Sequence, residues 1–180
     1  SALDSFHLIS NSDAHSPAKL GREANLFDIP MSYDGLYGAI QRGEGLAGTI
    51  EFFPEEGKYH FDGHRKCHLC LSPSQARQYN GICPVCGKKL TTGVLHRIEQ
   101  LADRQEDFIL PGGRPYENLV PLPEVIAACM GSSSASVKVT RQYEHMLEEL
   151  GNEFHILRSA GLDDISRIGG QLTAQGIRHL

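Results

Sequence analysis

Cys67, Cys70, Cys83 and Cys86 form two C-x-x-C knuckles with twelve residues between them. Facing knuckles of this kind close a tetrahedral thiolate cage around one zinc ion. With four protein ligands such a cage has no open position, so its metal holds structure and does not catalyse. Gly87, just after the last cysteine, suits a tight knuckle in which the backbone turns to positive φ. Lys88 and Lys89 offset the negative charge that four thiolates leave on zinc. Paired disulfides are the first competing reading, and they belong to small secreted domains. No signal peptide is visible here, and Cys129 is a fifth, unpaired cysteine in an apolar stretch. A thioredoxin-like redox site is the second, but it needs a single C-x-x-C beside a βαβ pattern.

Asp13 and His15 stand two residues apart at the end of a short apolar run. In an extended segment their side chains point the same way. They can give two ligands to a divalent metal, or one ligand and one base. On its own, Asp-x-His is as compatible with a turn aspartate beside a surface histidine. His60 and His64 flank Asp62. They are read as linker residues that brace the ribbon, with a small metal site as the alternative. His68, inside the first knuckle, reads as a surface residue.

The elements that position these groups are legible in outline. Residues 5–9 read as a short buried strand without a preceding partner. Tyr33, Leu36, Tyr37 and Ile40 fall on one helical stripe. Residues 48–53 read as a strand stopped by Pro54. Asn80-Gly81 predicts a tight turn before the second knuckle. Val94, Leu95, Ile98 and Leu101 mark an amphipathic helix ending near Arg104. Residues 111–115 are a loop. Pro123 suits the first turn of a helix that Gly131 ends, and the serines at 132–136 offer N-caps for the next. That helix carries Val139, Tyr143, Met146, Leu147 and Leu150 on one face. Two short helices around Gly169-Gly170 close the chain. A DNA-binding helix-hairpin-helix is a weaker reading of this tail, because Ile168 stands where the first hairpin glycine belongs.

Composition narrows the class. The chain has 180 residues, 40% of them hydrophobic, with a net charge of −5. No apolar run approaches membrane-spanning length, no targeting segment is visible, and a reduced, cytoplasmic setting is expected, with no membrane partner. The charge is unevenly spread. Residues 58–104 carry eight Lys/Arg against three Asp/Glu, whereas both flanks are acidic. Lys66, Arg77, Lys88, Lys89 and Arg97 are therefore the candidate phosphate contacts of a nucleic-acid surface. Solvated surface and compensation of thiolate charge are the other explanation.

The run Ser10-Asn11-Ser12-Asp13-Ala14-His15-Ser16-Pro17, followed by Leu20-Gly21-Arg22-Glu23-Ala24-Asn25, resembles the late metal-binding motif of PHP-family phosphoesterases. Joined to the stretch from Gly48 to Cys67, the knuckles and a helical tail, it resembles the endonuclease Q-like branch of that family. The resemblance implies an α+β chain. Residues 1–57 would be the C-terminal portion of a PHP TIM-like barrel, 58–92 a linker and four-cysteine zinc ribbon, and 93–180 an α-helical domain. It also implies a metal-dependent DNA-repair endonuclease that cuts 5′ of deaminated bases or at abasic sites. Asp13 and His15 would then be catalytic metal ligands for Zn2+, Mn2+ or Mg2+, and damaged duplex DNA the partner.

No His-x-His, the early ligand motif of such sites, occurs in the chain. The reading therefore expects a missing N-terminal PHP portion as a further partner and an isolated chain without nuclease activity. Self-association through an exposed barrel strand is also expected. A non-catalytic zinc-ribbon module that binds nucleic acid or protein, and a PHP phosphoesterase acting on small molecules, are the alternative functions.

Overall fold

The computed structural model describes residues 4–57, 59–105 and 108–180. They form two compact units. One comprises residues 8–52 and 114–180, the other the first residues of the chain and 53–113. The expected boundaries near 57 and 92 thus differ from the observed ones. The N-terminal segment and the helical tail share one unit because a strand in the 114–120 stretch pairs with one from the N-terminal segment.

That sheet-and-helix unit contains β1 (Ala24–Phe27), α1 (Tyr33–Arg42) and β2 (Leu46–Glu51). β1 runs antiparallel to β2, with Ala24 opposite Ile50 and an irregularity between Leu26 and Phe27. β5 (Tyr116–Asn118) joins the other edge of β2 in parallel, and its Asn118 side chain donates to the Phe52 carbonyl at 3.0 Å. β5 lies where the sequence reading ended its loop, and three residues are too few to show an alternating pattern. The sheet order is β1-β2-β5, and the described residues contain no closed parallel barrel. The strand expected at 5–9 is also absent. Phe6 and Leu8 are 65% and 72% exposed, and no neighbouring strand offers this segment a ladder. α1 forms where its stripe predicts, with Ser32 capping it through the Gly35 N–H. Its apolar face, Tyr33, Leu36, Tyr37 and Ile40, is exposed.

Five helices complete the unit: α4 (Leu122–Met130), α5 (Val137–Leu150), α6 (Glu153–Arg158), α7 (Leu162–Gly169) and α8 (Gln171–Arg178). Pro123 lies in the first turn of α4 and Gly131 caps its end. Ser136 caps α5 through the Val139 N–H. α6 went unread in the sequence because six residues are too short for a clear period; Asn152, whose side chain accepts from the His155 N–H, was its only signal. The helices bury one continuous core of Leu122, Val125, Ile126, Val139, Met146, Ile156, Ile165, Ala174 and Ile177. Glu153 pins α4 and α5 together, accepting from the Leu122 N–H at 2.7 Å and from the Tyr143 hydroxyl at 2.9 Å. α7 and α8 meet at Gly170 alone, whose φ of 88° is open to glycine and strained for other residues. This is a tight packed corner, and Ala174 and Ile177 on its far side belong to the core.

The ribbon unit is smaller. β3 (Asp62–His64) and β4 (Leu69–Leu71) form an antiparallel hairpin, followed by α2 (Pro73–Gln78) and α3 (Val94–Leu101). Ser72 and Gln75 make a reciprocal capping box on α2. Among the described residues its apolar core buries Leu71, Ala76, Cys83 and Leu90. α3 forms as its stripe predicts, yet Val94, Ile98 and Leu101 remain more than half exposed. Arg104 pairs with Asp4, which holds that carboxyl below the usual carboxylate range and ties the chain's start to this unit. Among the described residues, no helix is long and apolar enough to cross a membrane.

Candidate metal centre and nucleic-acid surface

The second knuckle forms as its sequence requires. The Gly87 N–H donates to the Cys83 carbonyl at 2.8 Å, and the Cys83 N–H to the Lys88 carbonyl at 2.7 Å. Asn80 and Gly81 both take positive φ, and Ile82 bridges to Lys89. This turn brings Cys83 and Cys86 to one side.

Their partners from the hairpin are Cys67 and His64, not Cys67 and Cys70. The donor atoms of His64, Cys67, Cys83 and Cys86 all lie within 4.8 Å of one another. His64 Nδ1 is 3.1 Å from Cys67 Sγ and 3.4 Å from Cys86 Sγ. The strand register explains the exchange. Side chains alternate along a strand, and directly opposed residues share a face. Leu69 and Leu71 face the small core, so their cross-strand partners His64 and Asp62 do too. Cys70 lies opposite Gly63 on the other face and is exposed. The four-thiolate cage expected from spacing is thus replaced by one imidazole and three thiols, with x-x spacing kept in His64-x-x-Cys67. That spacing is the signal in the sequence, and it favours the metal-site alternative for His64 over the brace. His60 instead packs edge-on to Phe61.

The donor set fits a tetrahedral ion. Zinc–sulfur bonds of about 2.3 Å and zinc–nitrogen bonds of about 2.0 Å place ligand atoms about 3.5–3.8 Å apart, the scale observed here. Burial and the neighbouring Cys86 and Cys83 thiols push the Cys67 thiol up to about 11. Burial also works against ionisation of Cys83. There the Cys86 and Val85 N–H groups, with side-chain bonds from Cys86 and Cys67, outweigh it and hold that thiol below its ordinary value. A bound cation would deprotonate all three thiols.

A buried carboxylate braces the site. Asp62 is 2% exposed. It accepts from the Gly93 N–H at 2.6 Å and from His96 Nδ1 at 2.5 Å, joining β3 to α3. Gly93 has no room for a side chain, since a Cβ there would meet His60 O at 2.4 Å and Phe61 O at 2.5 Å. Gly93→Ala is expected to destabilise the ribbon unit by at least about 3 kcal/mol, read as a lower chelator or denaturant midpoint for that unit alone.

The five candidate phosphate contacts, Lys66, Arg77, Lys88, Lys89 and Arg97, are all exposed on this unit. Arg77 pairs with Glu99 at 2.8 Å and Arg97 donates to Gln100 at 3.2 Å. Lys88 and Lys89 flank the knuckle.

Asp13 and His15 lie on the other unit, in coil, with side chains 100% and 83% exposed. Their carboxylate and imidazole approach to 4.0 Å. His15 Nδ1 is 2.7 Å from the Asp13 carbonyl. A carbonyl only accepts, so in this contact Nδ1 carries the proton and Nε2 keeps the lone pair that can take a metal. Among the described residues, no cluster of three or more metal ligands includes either residue.

Known proteins resemble this arrangement along nearly its whole length. Residues 121–180 match the family described as the MJ0043 C-terminal domain. The uncharacterized protein MJ0043 of Methanocaldococcus jannaschii is 34% identical over 175 residues, which is 92% of this chain and 22% of that protein. The uncharacterized protein YqxK of Bacillus subtilis is 26% identical over 178 residues, 97% of this chain and 42% of its own. The crystal structure of the lesion-specific endonuclease PfuEndoQ from Pyrococcus furiosus superposes with a TM-score of 0.85 at 31% identity, covering 98% of this chain and 45% of that one. An endonuclease Q complex with a 27-mer duplex bearing an abasic lesion at the active site gives a TM-score of 0.82 at 30% identity and the same coverage. The chain spans less than half the length of each of these proteins.

Proposed function

We propose that this chain, which resembles the carboxy-terminal part of endonuclease Q, supplies the metal-bound ribbon, a DNA-gripping surface and one Asp–His ligand pair of a metal-dependent DNA-repair endonuclease. The reaction is cleavage 5′ of a deaminated base or at an abasic site. The likeness at TM-score 0.82 to an endonuclease Q bound to a lesion-bearing duplex carries this reading. Zinc is the metal of the ribbon, held by His64, Cys67, Cys83 and Cys86, and its role is structural because four protein ligands leave no open position. Asp13 and His15 contribute to a separate divalent-metal centre, in which bound metal would activate water for attack on phosphorus. Two ligands do not complete such a centre, so the remaining ones come from chain beyond this one, and this chain alone binds DNA without cutting it. A zinc-ribbon module with no catalytic part is the second reading, favoured by the full exposure of Asp13.

Electrophoretic shifts with plain, uracil-containing and abasic duplexes test the binding. Lys88→Glu with Lys89→Glu is expected to weaken binding and to flatten the log–log salt dependence by about 1.8, the loss of two phosphate contacts. An unchanged slope sinks the basic-ribbon surface. In the complete enzyme, Asp13→Asn is expected to abolish cleavage of uracil-containing DNA while ribbon zinc stays at wild-type content. Retained cleavage would reject the ligand role of Asp13 and favour the second reading.

A further inference from the structure

We infer that Asn25, supported by Glu51, is the positioning residue that sets where Asp13 and His15 stand, by supplying from a side chain the pairing that a neighbouring strand would give. The inference rests on the reading of Asp13 and His15 as metal ligands.

Among the described residues, the segment that leads to Asp13 forms no backbone ladder with a strand. Its fixed point is Ser10, which is 7% exposed between the exposed Ile9 and Asn11. Asn25 holds that residue at two points. The Ser10 N–H donates to Asn25 Oδ1 at 2.9 Å, and Asn25 Nδ2 donates to the Ser10 carbonyl at 2.6 Å. One primary amide thus satisfies both backbone groups of one residue, as a rung of antiparallel ladder does. Asn25 Nδ2 also reaches Asn11 Oδ1 at 3.3 Å. The Ser10 hydroxyl donates to Glu51 Oε2 at 2.9 Å.

Both anchors are themselves fixed. Asn25 sits on β1 opposite Thr49, and Glu51 ends β2 opposite Asn118. The sheet therefore dictates the place of Ser10, and the ligand carboxylate follows three residues later. Three extended residues span about 10 Å. Without the anchor at its root, that length of chain would let the Asp13–His15 pair wander from its place beside the sheet, and the entropy of fixing it again would oppose metal binding.

Side-chain chemistry makes the assignment specific. Aspartate at 25 keeps the acceptor for the Ser10 N–H but loses the donor to its carbonyl. Alanine loses both. Glutamine at 51 keeps an acceptor for the Ser10 hydroxyl.

The test uses the full chain with Mn2+ as the probe. Paramagnetic broadening of the Asp13 and His15 amide signals reports affinity, hydrogen exchange at the Ser10 amide reports anchoring, and ribbon zinc content reports global integrity. Asn25→Ala is expected to weaken Mn2+ binding at least tenfold and to speed Ser10 exchange, with zinc content and the melting transition unchanged. Asn25→Asp should fall between Asn25→Ala and wild type, and it stands in if the alanine variant does not fold. Glu51→Gln should stay near wild type. Wild-type Mn2+ affinity in Asn25→Ala and Asn25→Asp overturns the inference. Asp13→Asn is the reference: if wild type and Asp13→Asn broaden alike, these two ligands alone do not hold Mn2+, and hydrogen exchange decides. In that event accelerated Ser10 exchange in Asn25→Ala still supports the anchor, and unchanged exchange overturns it.

Discussion

Removing the metal, or replacing Cys83 by Ser, is expected to unfold the ribbon unit and leave the sheet-and-helix unit intact. Among the described residues the ribbon's apolar core buries four, Leu71, Ala76, Cys83 and Leu90, and Cys83 is itself one of the candidate metal donors. So small an apolar cluster does not outweigh the chain entropy it must overcome. Structural zinc sites contribute on the order of 10–16 kcal/mol at neutral pH, far more than that cluster can. Amide exchange should show global loss of protection in the ribbon unit on chelation, with α4, α5 and α7 unaffected. Acidification acts in the same direction, because protons compete with the metal for the three thiolates.

The ligand set gives that experiment a sharper edge. His64→Ala should lower metal content as Cys67→Ser does, whereas Cys70→Ser should leave it near one ion per chain. If Cys70→Ser empties the site and His64→Ala does not, the register-based assignment is wrong.

The second large effect is expected in the helical core. Met146 is fully buried on α5, and Gly169 at the end of α7 gives it room. A Cβ on Gly169 would lie 2.8 Å from both the sulfur and the terminal methyl of Met146. Gly169→Val is therefore expected to displace the end of the Met146 side chain and strain the α5–α7 contact at a cost of about 1–3 kcal/mol, a sizeable part of the about 5–15 kcal/mol that holds a domain folded. Met146→Ala should cost about 2–5 kcal/mol through the cavity it leaves. The two substitutions should not add. The larger residue at 169 fills space that the shorter one vacates, so the double variant should be more stable than the sum predicts by about 0.5–3 kcal/mol. Urea unfolding of the four proteins measures the coupling. Strict additivity would show that Gly169 does not make the pocket for Met146.

What could be read from the sequence follows a physical line. α5 was legible because fourteen residues carry a clear apolar face between Ser136 and Gly151. α4 and the turn at Asn80-Gly81 were legible because Pro, Gly and Asn act locally. β5 and α6 were not, since each is shorter than the period needed to recognise it. The strand expected at 5–9 shows the opposite failure. Its residues favour extension, but extension becomes a strand only with a partner, and the residue that follows it, Ser10, is held by the Asn25 and Glu51 side chains instead. Cysteine spacing located the candidate metal centre, but the fold groups His64, and not Cys70, with the other three donors. Spacing says which residues are close along the chain, while the pairing of His64 with Leu69 decides which face they share. Asp13 and His15 came together at 4.0 Å as alternation suggested, though on exposed coil and not at a strand end.

The threading of the chain has its own consequence. Residues 53–113, which carry the ribbon, interrupt the other unit between β2 and β5. Those two strands are hydrogen-bonded neighbours, so the excursion departs from and returns to adjacent points of one sheet. A loop with closely spaced ends can be lengthened, shortened or exchanged without redrawing the host around it. The inserted ribbon unit is thereby free to diversify on an evolutionary timescale of its own, while the host scaffold keeps its shape.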